Sequence, residues 1–144
     1  MEIRSIQHAG VTILHLQGAL EIGHLYGLAR MSQTLLHRTD SAWIYDLRDV
    51  TNHIDALSDI VQAAEDWARC TDAAWRPAVF VSSANWALAA NRIVRSVLDA
   101  SSWHFADDLD EAFDILGIEG REEDVLAMLT RCEPVRLAPE VPAD

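Results

Sequence analysis

Lysine is absent from this 144-residue chain: all eleven basic side chains are arginines, set against 23 Asp and Glu. The formal charge of −12 repels phosphate backbones and anionic headgroups alike. Nucleic acid is therefore excluded as a partner, and so is docking onto an acidic bilayer. Cysteine is scarce. Cys70 and Cys132 are too few for a disulfide framework, and no zinc spacing exists. Hydrophobic runs are short, none approaching the roughly 20 residues of a membrane span, and no signal peptide is visible, so a cytoplasmic protein is expected. Glycine is sparse too, and the patterns that need it are missing: no Gly-x-Ser-x-Gly elbow, no phosphate-binding loop, no dinucleotide fingerprint. No two of the six histidines stand four residues apart, which removes the usual helical metal pair.

What is present is ordinary globular material. Half of the residues are apolar and 24% are charged, in a length that suits one domain with a normal core. Glu2 to His8 and Val11 to Leu16 predict a hairpin turning at His8-Ala9-Gly10, with Gly18 closing the second strand. Leu25, Leu28, Ala29, Leu35 and Leu36 recur at helical spacing, predicting a helix over about 21–37. Trp43-Ile44-Tyr45-Asp46-Leu47 is nearly continuous apolar sequence, as a strand buried on both faces requires. Residues 49–53 are expected to be loop.

A second helix is predicted over 55–70 and a strand over Ala78-Val79-Phe80-Val81. A third helix follows, capped by Ser82 or Ser83, with its stripe at Trp86, Ala90, Ile93, Val94 and Val97. A strand at Trp103-His104-Phe105 leads to an N-cap at Asp107 and a fourth helix ending at Gly117. Glu122 to Cys132 forms an added helix, and the prolines at 134, 139 and 142 leave 134–144 as a flexible tail.

Strands separated by such helices imply right-handed crossovers and a largely parallel sheet. The expected fold class is α/β: a mixed, mostly parallel sheet of about five strands with an N-terminal hairpin and four helices over residues 1–117. An extra C-terminal helix over 118–133 packs on that domain or on a second copy, which makes a homodimer a candidate assembly.

This order of elements resembles the STAS-like domains, those of bacterial anti-sigma-factor antagonists and sulfate-transporter tails. The resemblance covers Glu2 to Gly117. It rests on Ile44-Tyr45-Asp46-Leu47-Arg48-Asp49-Val50-Thr51, on the central strand Ala78-Val79-Phe80-Val81-Ser82, and on Phe105-Ala106-Asp107-Asp108-Leu109-Asp110-Glu111-Ala112. It implies a non-enzymatic regulatory module that binds a protein partner through Arg48, Asp49, Thr51, Asn52, His53, Asp55 and Ser58. Sporulation-type members are phosphorylated on a serine in a motif of two consecutive serines followed by Gly-Leu. Alignment on Asp46 to Thr51 puts Asp55 and Ala56 there, so that motif is missing; Ser58 lies nearby, out of register.

In parallel sheets, ligands favour the crevice beyond the carboxyl ends of the strands. Ser82, Ser83, Asn85 and Asp107 would gather there beside two helix N-termini, where an anion finds free N–H donors. A carrier or sensor of nucleotides, lipids or acidic metabolites is therefore the alternative, against the plainer reading of Ser83 and Asp107 as caps. His53, near Asp49 and Asp55, is the best metal candidate among the histidines, yet a surface histidine explains it as well. With no nucleophile–base spacing and no metal box, neither enzymatic activity nor a cofactor or metal is expected.

Overall fold

The computed structural model describes residues 1–21, 23–24, 27–28, 31, 42–52, 77–82 and 103–139. Strands β1 (Glu2–His8) and β2 (Val11–Ala19) form the opening hairpin. Its two-residue turn has Ala9 at φ 50° and Gly10 at φ 80°, the double positive φ that a tight hairpin favours. Then come β3 (Ala42–Asn52), β4 (Ala78–Val81) and β5 (Trp103–Ala106), followed by helices α1 (Leu109–Leu116) and α2 (Glu122–Arg131) and a last strand β6 (Val135–Arg136). Residues 23–24, 27–28 and 31 are helical, inside the helix expected over 21–37. The helices expected over 55–70 and 83–97 lie outside the described residues.

The six strands form one sheet in the order β5-β4-β3-β2-β1-β6. β2, β3, β4 and β5 run parallel; the β1–β2 and β1–β6 pairs are antiparallel. The two apolar segments singled out in the sequence therefore lie side by side and parallel, with Trp43 opposite Ala78 and Asp46 opposite Val81.

Alternation of side chains divides the core into two layers. On one face Ile3, Leu14, Leu16, Trp43, Tyr45, Ala78 and Trp103 pack with Leu28. On this side Tyr45 and Phe80 stack at 5.2 Å between ring centres, and Phe80 meets Trp103 edge-on at 5.6 Å. Each such pair is worth about 0.5–1.5 kcal/mol beyond its burial. Trp103 is thus part of the core. On the other face Val11, Ile13, Ala42, Ile44, Val79, Val81 and Ala106 are covered by Leu109, Ala112 and Phe113 of α1 and by Val125 and Leu129 of α2. The stripe of the added helix is spent within its own chain, which removes the reason for seeking a second copy on that face.

Three boundaries differ from expectation. β3 does not stop at Leu47 but continues through Asn52, because the lower half of β2 goes on pairing with it. The N-cap of α1 is Asp108, not Asp107: Glu111 N–H donates to Asp108 Oδ1 at 2.8 Å, while Asp107 N–H donates to the Glu111 carboxylate at 2.9 Å. The loose tail also starts later. Val135 and Arg136 pair with Ile3 and Glu2, and Leu137 N–H donates to Met1 O at 2.9 Å. Pro134 ends α2 without preventing a strand, because the open edge of β1 offers backbone partners that a short edge strand can take.

Candidate functional site

The parallel ladder between β2 and β3 slips by one residue. His15 pairs with Asp46, but the next pair is Gln17 with Asp49, so β3 carries one extra residue over this stretch. Strict alternation would send residues 46 and 49 to opposite faces. The extra residue brings Asp49 to the side of Asp46, as bulges re-aim side chains. A second slip, from Gly18–Val50 to Ala19–Asn52, lies just beyond.

The result is a chain of charges across the carboxyl ends of two strands. Asp46 is fully buried, where an unpaired carboxylate would be prohibitively costly. Four donors meet it. Arg48 contributes its backbone N–H at 3.2 Å and Nε at 2.9 Å to Oδ1, and Nη2 at 3.0 Å to Oδ2. His15 Nδ1 lies 3.0 Å from Oδ2. The other ring nitrogen of His15 lies 2.8 Å from Asp49 Oδ2. From Arg48 the chain continues through Nη1 to Glu122 Oε1, at the first residue of α2. Glu122 Oε1 also accepts the Leu109 N–H at 3.2 Å, and Glu122 N–H donates to Asp110 Oδ1 at 2.7 Å, so the N-termini of α1 and α2 cap one another.

The electrostatics follow from these contacts. Burial pushes the Asp46 carboxyl up, but the hydrogen bonds from His15 and Arg48, with the Arg48 charge, outweigh it and hold the group at about 2. Asp46 correspondingly holds the Arg48 guanidinium above its ordinary value, with Glu122 adding to the effect. The hydrogen bond to Asp46 raises the His15 pKa against the opposing effect of burial, helped by Asp49. His24 behaves oppositely: burial lowers its pKa, and the neutral ring accepts the Glu21 N–H at Nδ1, 2.9 Å away.

Of the residues predicted to meet a partner, Arg48, Asp49, Thr51 and Asn52 lie on β3 rather than in a loop. Arg48 is turned to Asp46 and Glu122, whereas Asp49 and Thr51 are exposed. His53, Asp55 and Ser58 lie outside the described residues. Of the predicted ligand residues, Ser82 is buried and its N–H donates to Ala106 O at 3.0 Å, which ties the end of β4 to β5. Asp107 is exposed beyond the end of β5, while Ser83 and Asn85 lie outside the described residues. Among the described residues, no group of three or more His, Cys, Asp or Glu is arranged to hold a metal, and no helix is long and apolar enough to cross a membrane.

Sequence reasoning missed His15 as a partner of Asp46, and Glu122 as the carboxylate on the far side of Arg48. A signal for the first pair was available. An aspartate inside a both-faces-buried strand demands a buried donor, and in the parallel register His15 is the polar residue that follows Val11 and Ile13 on the same face of the neighbouring strand.

No family model matches the chain, and no curated protein matches its sequence. Solved structures do resemble it. The unphosphorylated anti-sigma factor antagonist SpoIIAA overlays with a TM-score of 0.52 at 14% identity, covering 79% of this chain and 96% of that one. The Bacillus cell fate determinant SpoIIAA in its phosphorylated form gives 0.51 at 13% identity, covering 79% and 98%. An anti-sigma factor antagonist from Mycobacterium paratuberculosis gives 0.50 at 15% identity, covering 78% and 91%. The chain has the STAS-like fold.

Proposed function

We propose that this chain is a non-enzymatic regulatory module that binds a protein partner, without the phosphorylatable serine motif of the sporulation antagonists. The observation that carries this reading is the shared fold: the overlaid proteins are named as anti-sigma factor antagonists, and nearly their whole length is matched. The contact surface in this reading is the carboxyl end of β3, with Asp49, Thr51 and Asn52, continued in the sequence by His53, Asp55 and Ser58. Asp49 and Thr51 are exposed on a strand anchored from below by Asp46 and Arg48, which supports a rigid contact with little ordering cost.

Thr51→Arg tests the surface, because Thr51 is exposed. The variant should keep the wild-type melting temperature and lose the partner that the wild-type chain captures and binds in calorimetry. Hydrogen exchange on the purified complex should show protection over residues 48–58. Full partner affinity in the folded variant, or protection confined to α2 and β6, would overturn the assignment.

A further inference from the structure

Every described contact of the His15 ring nitrogens is to a carboxylate. Nδ1 faces Asp46 at 3.0 Å and Nε2 faces Asp49 at 2.8 Å. A neutral imidazole has one N–H and one lone pair, so it satisfies only one of these acceptors and repels the other. Only the imidazolium holds both. The two carboxylates are not equivalent: Asp46 is fully buried and retains three bonds from Arg48, whereas the side chain of Asp49 is 59% exposed and has water as an alternative.

We propose that His15 is a proton-operated clip that fastens the exposed end of β3 to the interior, closed when the ring is doubly protonated and released at Asp49 when it is neutral. Loss of the proton leaves the imidazole donating to Asp46 and turns its lone pair toward Asp49, which swings to solvent. Among the described residues, the charged groups around the ring are Asp46, Asp49 and Arg48 on β3, Arg4 on β1, which is its antiparallel register partner, and Glu122 on α2 behind Arg48. Asp46 and Asp49 favour protonation and outweigh the opposing effect of burial. As a regulatory device the clip rests on the partner surface proposed above, since Asp49 lies within it: rising pH would alter the shape and charge of that surface.

The test uses the isolated chain, so it stands or fails apart from any partner. NMR titration of the His15 ring nitrogens and the Asp49 side-chain carbon should show one shared midpoint above 6.5. In Asp49→Asn the His15 midpoint should fall by roughly one pH unit, the loss of a neighbouring opposite charge. In His15→Gln the Asp49 carbon should lose its transition near that midpoint. A His15 midpoint at or below 6.5, an Asp49 signal indifferent to it, or an unchanged midpoint in Asp49→Asn would overturn the clip.

Discussion

Arg48 reaches back along its own strand to Asp46, giving it the backbone N–H, Nε and Nη2 from a distance of two residues. In a regular strand, residues two apart share a face but do not chelate one another. Here the extra residue in β3 bends the strand until the guanidinium and the amide converge on one carboxylate. The buried charge and the irregular ladder therefore support each other: the slip supplies donors, and Asp46 gives the displaced amide an acceptor.

Asp46→Asn removes the charge and keeps the shape. It leaves Arg48 and His15 facing an amide that offers a single acceptor, so equilibrium urea unfolding should show a loss of about 3 kcal/mol, at the lower end for breaking a buried pair, because Arg48 is half-buried and can reach water. The acid limb should change with it. The carboxyl sits at about 2 in the folded chain against 3.8 unfolded, so its contribution is complete above pH 3.8 and is lost as pH falls toward 2. That contribution is roughly 2 kcal/mol, and the stability gap between wild type and Asp46→Asn should narrow across that window.

The apolar runs made the central layers legible in advance. Ile44, Val79 and their neighbours could lie only in buried strands, and Gly117 marked a helix end that its left-handed backbone confirms. What could not be read was the continuation of β3. Asp49 and Asn52 are polar and have poor strand propensity; they are strand because β2 pairs with them, with Thr51 carried between at the second slip. The link to Glu122 was equally hidden, since a contact across 74 positions leaves no periodic trace. Pro134 pointed to a flexible tail, while the unfilled edge of β1, a tertiary feature, decided the matter.

His15 should make stability depend on pH in the opposite sense to Asp46. Its folded pKa is raised above 6.5, so the stabilisation is fully present below pH 6.5 and fades as pH climbs through the folded value. Urea midpoints of wild type and His15→Gln, compared from about pH 5.5 to about pH 9 (from roughly one unit below the ordinary histidine value to well above it), should differ most at the acid end and converge at the alkaline end. A difference that grows with pH would mean that the ring is held neutral.

Two glycines around the C-terminal helices should fail for different reasons. Gly117 closes α1 at φ 67° with open space around its missing Cβ, so Gly117→Ala should cost about 1 kcal/mol of backbone strain alone. At Gly120 a Cβ would stand 2.6 Å from His8 Nε2 and 3.2 Å from the Phe113 ring. Gly120→Ala must therefore displace His8 from Glu119 O, its 2.8 Å partner, and should cost about 1–3 kcal/mol by overpacking. The His8 ring resonances should shift in Gly120→Ala and stay in place in Gly117→Ala.

Glu122 separates charge from acceptor geometry. Its Oε1 receives both Arg48 Nη1 and the Leu109 N–H, a free donor at the start of α1. Glu122→Gln can keep an oxygen at the Leu109 amide while losing the charge that faces Arg48 and favours the N-terminus of α2; the pair is partly exposed, so about 0.5–1 kcal/mol is expected. Glu122→Ala loses the acceptor as well and should cost about 1 kcal/mol more. Adding Asp46→Asn should distinguish a chain of contacts from independent ones. If Arg48 transmits between Asp46 and Glu122, the double variant will lose less than the sum of the singles, because an arginine already freed from Asp46 has less geometry left to lose. Strict additivity in urea unfolding would mean that the sheet end and the helix N-termini are stabilised separately, with Arg48 touching both and coupling neither.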